Sequence, residues 1–285
     1  AMAGTELYAG GSFSWSYTGE YVWFIARWNG STWVNLGSGL NLPVRAIAVS
    51  GTDLYAGGDF TTAGGASANH FARWNGSSWF PLGSGMNGSV RAIAVTGSDA
   101  YVGGDFTTAG GLFANHIARW NGTSWGPLGD GVNGSVHAIA VRGSSVYVGG
   151  SFTTAGSTTA NNIAQWNGSE WSALGSGVDD GVYALALNDT ELFVGGRFSN
   201  AGGSPANGIA KWDGFSWQAL GRGVERPGWW GPGFIAGEAT ALAVSGNDLY
   251  VGGDFTLADA HPSQGFAHWV TPPRSPFLSD PIRLS

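Results

Sequence analysis

Five residues stand at one equivalent position of a segment that recurs along the chain: Arg45, Arg91, His137, Tyr183 and Thr240. Arg283 is a sixth if the C-terminal "PIRLS" (281–285) is read as a copy of "VRAIAVS". Brought together, three arginines, a histidine and a tyrosine can hold a carboxylate or sulfate through charge-assisted hydrogen bonds. The same set can abstract a proton beside a neutralised uronic acid, with tyrosine or histidine as base. It can equally line a water-filled channel and bond to neighbouring backbone. No motif orders an acid and a base around a defined reacting atom, so no residue is assigned as catalytic.

A second group is aromatic. Eleven of the fifteen tryptophans occupy two recurring positions, and the other four, Trp15, Trp23, Trp229 and Trp230, lie where the recurrence breaks. Aromatic side chains on loops can build an exposed platform of the kind that marks an interaction site. A sugar ring suits it, since its C–H face packs on indole while flanking polar groups bond its hydroxyls. Here those groups are Glu20, Arg226, Asp259 and His261, and Tyr17 and Tyr21 add area with a polar tip. The same rings can fold inward as a plug.

Weaker signals point elsewhere. Asp59, Asp105 and Asp254 recur after Gly-Gly, but Ser12, Ser151 and Arg197 hold the equivalent positions, so no repeated metal site is expected. Asn69, Asn115, Asn161 and Asn207 suit local turn bonding. The Asn-Gly-Ser/Thr triplets beginning at Asn29, Asn75, Asn87, Asn121, Asn133 and Asn167 match the glycosylation pattern, yet most are read as turns. Asp179, Asp180 and Glu225 are acidic loop residues that could supply a hydrolase pair, with nothing to fix their separation.

The elements that must position these groups follow from the repeat. The Trp-Asn-Gly tryptophan recurs at Trp28, Trp74, Trp120, Trp166, Trp212 and, degraded, Trp269, with spacings of 46 four times and then 57. Each unit reads as four short strands, such as "VRAIAV" (a), "DLYAGG" (b), "HFARW" (c) and "SWFPL" (d), bounded by Gly, Asn, Asp or Ser. Asn-Gly supplies the positive φ of a tight c to d hairpin. Four-stranded meanders stacked around an axis make a propeller. The d to a and b to c loops then share one face, and three departures fall on it: "FSWSYTGEYVWF", "FTLADAHPSQGF" and the late loop 224–239.

The b strand ending in Gly-Gly, the aromatic closing c and the Trp opening d resemble kelch-type propeller blades. The "LYVGGDF", "IARWNG" and "LGSG" wording is similar to repeats of secreted surface proteins, including the cortical cell-polarity marker family. The resemblance covers nearly the whole chain and implies fold rather than ligand. The expectation is one all-β domain, a six-bladed propeller over 1–285. Its blades are 1–43 plus 281–285, 44–89, 90–135, 136–181, 182–238 and 239–280. "SPFLSD" (275–280) would supply the outer strand of blade 6 and "PIRLS" the inner strand of blade 1, closing the ring and removing edges. "AMA" at the start reads as a cloning remnant, leaving blade 1 without its own strand a.

Composition narrows the partners. Forty-three per cent of the residues are hydrophobic, 11% are charged and fifty are glycine, which fits an all-β fold rich in turns. The net charge is −7 with a single lysine, Lys211, so no basic patch awaits nucleic acid. Without cysteine there is no disulfide or thiolate site, and no apolar run reaches a membrane span. The leading expectation is a noncatalytic, monomeric binding module of a secreted or cell-surface protein. It would recognise a glycan or polysaccharide at the seam of blades 6 and 1 and need no cofactor or metal. A polysaccharide lyase or glycoside hydrolase at the axis, and a structural domain contacting the rest of a longer chain, are the alternatives.

Overall fold

In the c to d turn of the second unit, the Asn75 side-chain oxygen accepts from the backbone N–H of Ser77 at 3.0 Å and of Ser78 at 2.9 Å, while Gly76 takes φ +96°. Asn29, Asn121, Asn167 and Asp213 do the same in their own units. These asparagines are consumed by turn geometry, as expected of an Asx turn. A computed structural model describes residues 1–14, 21–228 and 234–270.

Five four-stranded antiparallel meanders follow the unit order. Sheet 1 is Met2–Ala3, Glu6–Gly10, Ile25–Trp28 and Trp33–Asn35; sheet 2 is Val44–Ser50, Asp53–Gly58, Phe71–Trp74 and Trp79–Pro81. Sheet 3 is Val90–Thr96, Asp99–Gly104, Ile117–Trp120 and Trp125–Pro127; sheet 4 is Ser135–Arg142, Ser145–Ser151, Ile163–Trp166 and Trp171–Ala173. Sheet 5 is Val182–Leu187, Leu192–Gly196, Ile209–Trp212 and Trp217–Ala219. Sheet 6 has three strands among the described residues, Glu238–Ser245, Asp248–Asp254 and Phe266–Val270. The tail assigned to its fourth strand and to ring closure lies outside the described residues.

Residues 1–3 correct the expectation that the first unit has no strand a of its own. "AMAGTELYAGG" (1–11) aligns position by position with "AVSGTDLYAGG" (48–58). Met2 and Ala3 pair with Leu7 and Glu6 as Val49 and Ser50 pair with Leu54 and Asp53. The end of strand a is therefore present in sheet 1.

Alternation along strand b sends its side chains to opposite neighbours. In sheet 2, Leu54 and Ala56 pack back onto Tyr8 and Ile25 of sheet 1, whereas Tyr55 joins Phe71 in packing forward onto Ala100 and Val102 of sheet 3. Five such cores lie between six sheets, from sheets 1 and 2 through sheets 5 and 6. The first four are stapled by a tryptophan: Trp79, Trp125, Trp171 and Trp217 donate their indole N–H to the carbonyl of Leu36, Leu82, Leu128 and Leu174 in the preceding sheet, at 2.7–2.9 Å. The outward face of sheet 1 and the forward face of sheet 6 differ. Leu7 is 39% exposed where Leu54 and Leu192 are buried, and Phe266 is 62% exposed where Phe71 and Ile117 are buried.

Candidate functional site

The five axial candidates owe their position to one backbone irregularity. In sheet 2, Val44 pairs with Gly58 and Ala46 with Gly57, which leaves Arg45 as an extra residue. The same bulge isolates Arg91, His137, Tyr183 and Thr240. A β-bulge re-aims a side chain out of the ladder, and the inner strands of successive sheets pack side by side. The bulge residues therefore line one mouth of the arc.

Strand b supplies their partners, fourteen residues on. Arg45 donates through Nη2 to the Asp59 carboxylate at 2.7 Å, and Arg91 pairs with Asp105 at 2.7 Å. The hydroxyl of Ser89 reaches the other Asp59 oxygen at 2.5 Å, and that of Ser135 reaches Asp105 at 2.7 Å. The recurring aspartates thus hold arginine, and the arginines expected to be free for an anion are neutralised. Burial alone would raise the Asp59 carboxyl, but the bonds from Arg45 and Ser89 together with the nearby arginine charges hold it below the usual carboxylate range. Its folded value lies below its unfolded one, so its contribution to stability is present above about pH 4 and fades as pH falls through the folded value. Asp59→Asn is expected to flatten the acid limb of a plot of urea midpoint against pH between about 5 and 2. The effect should be modest because the pair is solvent-exposed.

Sheets 4 and 5 depart from this pattern. His137 Nε2 lies 3.2 Å from the Ser151 hydroxyl, and its ring stands 5.5 Å from that of Tyr183, tilted by 51°. Burial, then the charge of Arg91, lowers the His137 pKa against the opposing pull of Asp105. That lowering favours the neutral imidazole. Arg197, opposite Tyr183, turns to Asp180 at 3.0 Å. Thr240 leaves Asp254 to Arg226, which also lies 3.7 Å from Glu238.

Arg226 comes from the late insertion, which is a hairpin and not an irregular loop. Val224–Pro227 pairs with Phe234–Ala236 and also with Leu257–Ala258, which pairs in turn with His261–Pro262. In the preceding units a single bridge stands here, Leu40 to Ala63, Met86 to Ala109, Val132 to Ala155 and Val178 to Ala201. The insertion lengthens that contact into a four-stranded sheet. These pairings also place the d to a and b to c loops at the same end as the mouth.

The acidic candidates are structural. Glu225 is buried against Arg222 at 3.2 Å and Asn207 at 3.3 Å, Asp179 accepts the backbone N–H of Ser199 and Asn200, and Asp180 holds Arg197. Asp259 accepts from the Arg222 N–H at 3.0 Å, and His261 Nδ1 lies 2.8 Å from the Asp259 carbonyl, so both shape the loop. Asn69, Asn115, Asn161 and Asn207 donate to carbonyls fifteen residues on, at 3.0 Å, joining the b to c loop to the d to a loop. Among the described residues no group of three metal-ligating side chains converges.

Of the aromatic group, Trp15, Tyr17, Trp229 and Trp230, together with Glu20, lie outside the described residues, as does Arg283. Tyr21 and Trp23 stack on each other, with ring centroids 5.3 Å apart and planes 14° apart. They are 47% and 42% exposed. The segment is anchored where Asn35 donates to the Tyr21 carbonyl at 2.6 Å and the Leu40 N–H to the Trp23 carbonyl at 3.2 Å. The outward-facing pair is the described part of the expected platform.

No protein-family model matches the sequence, and no curated protein matches it. Among solved structures, the chain is similar to the computationally designed protein Ika8 at 17% identity, over 95% of this chain and 69% of that one, with a TM-score of 0.58. It is also similar to the extracellular domain of a hybrid two-component system from B. thetaiotaomicron, at 14% identity, over 94% of this chain and 34% of that one, with a TM-score of 0.54. At these identities the likeness is one of fold, and the chain is an all-β protein of repeated, propeller-like four-stranded sheets.

Proposed function

We propose that this chain is a noncatalytic binding module for a glycan or polysaccharide, set on a secreted or cell-surface protein. The observation that carries the reading is the stacked Tyr21–Trp23 pair, half-exposed and tethered through its backbone at the loop end of the arc. A ring backed by a stacked neighbour and held by backbone bonds offers its outer face as a flat apolar surface at little entropic cost, which suits the C–H face of a pyranose. Phe234 and Ile235 of the inserted hairpin are exposed at the same end. The reading takes the six sheets as blades of one ring, so that the outward faces of sheets 1 and 6 meet at a seam and bring the two loops together. The apolar exposure of Leu7 and Phe266 supports this closure.

The test is a glycan and polysaccharide binding screen with the wild type and a Tyr21→Ala, Trp23→Ala double variant. The expected result is at least tenfold weaker binding by the double variant with an unchanged circular dichroism spectrum. Unchanged affinity removes the platform. A lyase at the mouth is the second reading, favoured by neutral His137 against Tyr183. Unsaturated products from a uronic acid polymer, lost in His137→Ala, would replace the first reading with this one.

A further inference from the structure

Asparagine is followed by glycine at Asn29, Asn75, Asn87, Asn121, Asn133, Asn167 and Asn207. Such a step can react with itself. The glycine nitrogen, giving up its proton to solvent, attacks the asparagine Cγ; the Cγ–Nδ2 bond breaks and ammonia leaves with a proton taken from water. The cyclic succinimide then takes up one water and opens to aspartate or isoaspartate. Nothing is oxidised or reduced, and water is the co-reactant. Ring closure swings the glycine nitrogen onto the side chain, so the backbone around the glycine has to be free to turn.

Exposure does not separate these steps, since Asn87 and Asn133 are exposed like the turn asparagines. Backbone freedom does. Asn87 Nδ2 donates to the Thr107 hydroxyl at 2.9 Å, and its oxygen accepts the N–H of Thr107 at 2.8 Å and of Thr108 at 2.9 Å. Asn133 does the same with Thr153 and Thr154. Their glycines are hemmed in by backbone. A Cβ built on Gly88 would stand 3.1 Å from the Phe106 Cα, and one on Gly134 would land on the Ser151 carbonyl oxygen. The Gly208 N–H donates to the Phe198 carbonyl at 2.7 Å, and a Cβ there would meet the Gly237 carbonyl oxygen at 2.7 Å.

The c to d turns are the opposite case. A Cβ on Gly30, Gly76 or Gly168 would meet nothing within 4 Å, and one on Gly122 nothing closer than 3.7 Å. The Asn75 oxygen is bound only within its own turn, by Ser77 and Ser78, so the whole turn can move together. Among the described residues, the side-chain nitrogen that becomes the leaving group donates to no acceptor at Asn29, Asn75, Asn121 or Asn167, and neither does the N–H of the following glycine.

We infer that Asn29, Asn75, Asn121 and Asn167 are modification sites that convert spontaneously to aspartate and isoaspartate, and that the fold protects Asn87, Asn133 and Asn207. Sheet 5 already carries one product. Asp213 precedes Gly214 in the same turn, where its carboxylate accepts the N–H of Phe215 at 2.9 Å and of Ser216 at 2.8 Å. Aspartate therefore fits. Isoaspartate is the damaging product, because it lengthens the main chain by one carbon inside a hairpin closed by the Trp74–Trp79 pair. Each conversion adds one negative charge to a chain of net charge −7, at the end of the sheets opposite the mouth. The inference is independent of the glycan-binding reading.

The test is peptide mapping by mass spectrometry of the native protein held at mildly alkaline pH, beside the same protein in concentrated urea. Labelling with an isoaspartyl methyltransferase scores isoaspartate. In the native protein each of the four turn steps should convert at least tenfold faster than Asn87, Asn133 and Asn207. In urea all the rates should fall within a few-fold of one another, since each step is then the same Asn-Gly chemistry. A native separation of less than tenfold overturns the inference. A tenfold separation that persists in urea also overturns it, because flanking sequence and not the fold would then set the rates.

Discussion

Trp171→Ala is expected to destabilise the protein by about 3–5 kcal/mol, the range for deleting a large buried aromatic side chain. The ring is buried in the core between sheets 3 and 4, beside Leu128 and Val132. It is tilted at 53° against Trp166 with centroids 5.3 Å apart. Its indole N–H donates to the Leu128 carbonyl at 2.9 Å, and removing it leaves that buried oxygen without its partner, which adds to the cost of the cavity. Trp171→Phe keeps much of the volume and loses the hydrogen bond, so its cost should be smaller. Denaturant unfolding followed by tryptophan fluorescence measures both. In an architecture where each unit touches only its neighbours, the loss falls on one interface, and hydrogen exchange should quicken in sheets 3 and 4 before the others. Trp33→Ala is the companion measurement at the seam. Among the described residues no preceding sheet covers Trp33, so a cost close to that of Trp171→Ala is the signature of ring closure, and a negligible cost would rule closure out.

The strand order and hairpins were legible because they depend on local chemistry. Asn-Gly with a following serine or threonine specifies the turn, and a 46-residue period fixes which residues are equivalent. Register was not legible in the same way. That Arg45 meets Asp59 follows from the bulge, and a bulge shifts pairing by one residue without any signature in strand a itself. The signal lay in the partner strand, in covariation along the chain: Arg with Asp in sheets 2 and 3, His with Ser in sheet 4, Tyr with Arg in sheet 5. Read as separate positions, these became a free ring of cations and a failed metal site. Read as pairs, they give a mouth whose arginines are neutralised.

The insertion was misread for a related reason. "VERP" and "FIA" are short and flank a Gly- and Pro-rich segment, and only the pairing of the first with the second and with Leu257–Ala258 makes them strands. Glu225 looks like a loop carboxylate in sequence, yet it is buried, because Arg222 and Asn207 arrive from the adjoining turns to compensate it. Arg226 likewise looks available to a ligand until Asp254 and Glu238 are seen on either side. Polar groups supplied by other units are invisible to a reading that treats each unit alone.

The second large effect is expected at the glycine that makes the bulge. In sheet 4, Gly150 pairs with Val136 across the irregular step that isolates His137. A Cβ there would land on the Ser135 carbonyl oxygen well inside van der Waals contact, and 3.0 Å from both the Ser135 carbonyl carbon and the Val136 Cα. All three obstacles are backbone, so no side chain can swing aside. Gly104, Gly196 and Gly253 meet the equivalent carbonyls of Ser89, Gly181 and Glu238, which explains why the second glycine of the pair recurs. Gly150→Ala must therefore push the inner strand away or flatten the bulge, at a cost of about 3 kcal/mol or more, at the upper end of overpacking effects. Gly126→Ala is the control: the position has no atom within 4 Å of a built Cβ and no positive φ. It should change stability by less than about 1 kcal/mol, in the stabilising direction if at all. A Gly150→Ala variant that kept full stability would show that the inner strand can yield around the added Cβ without loss.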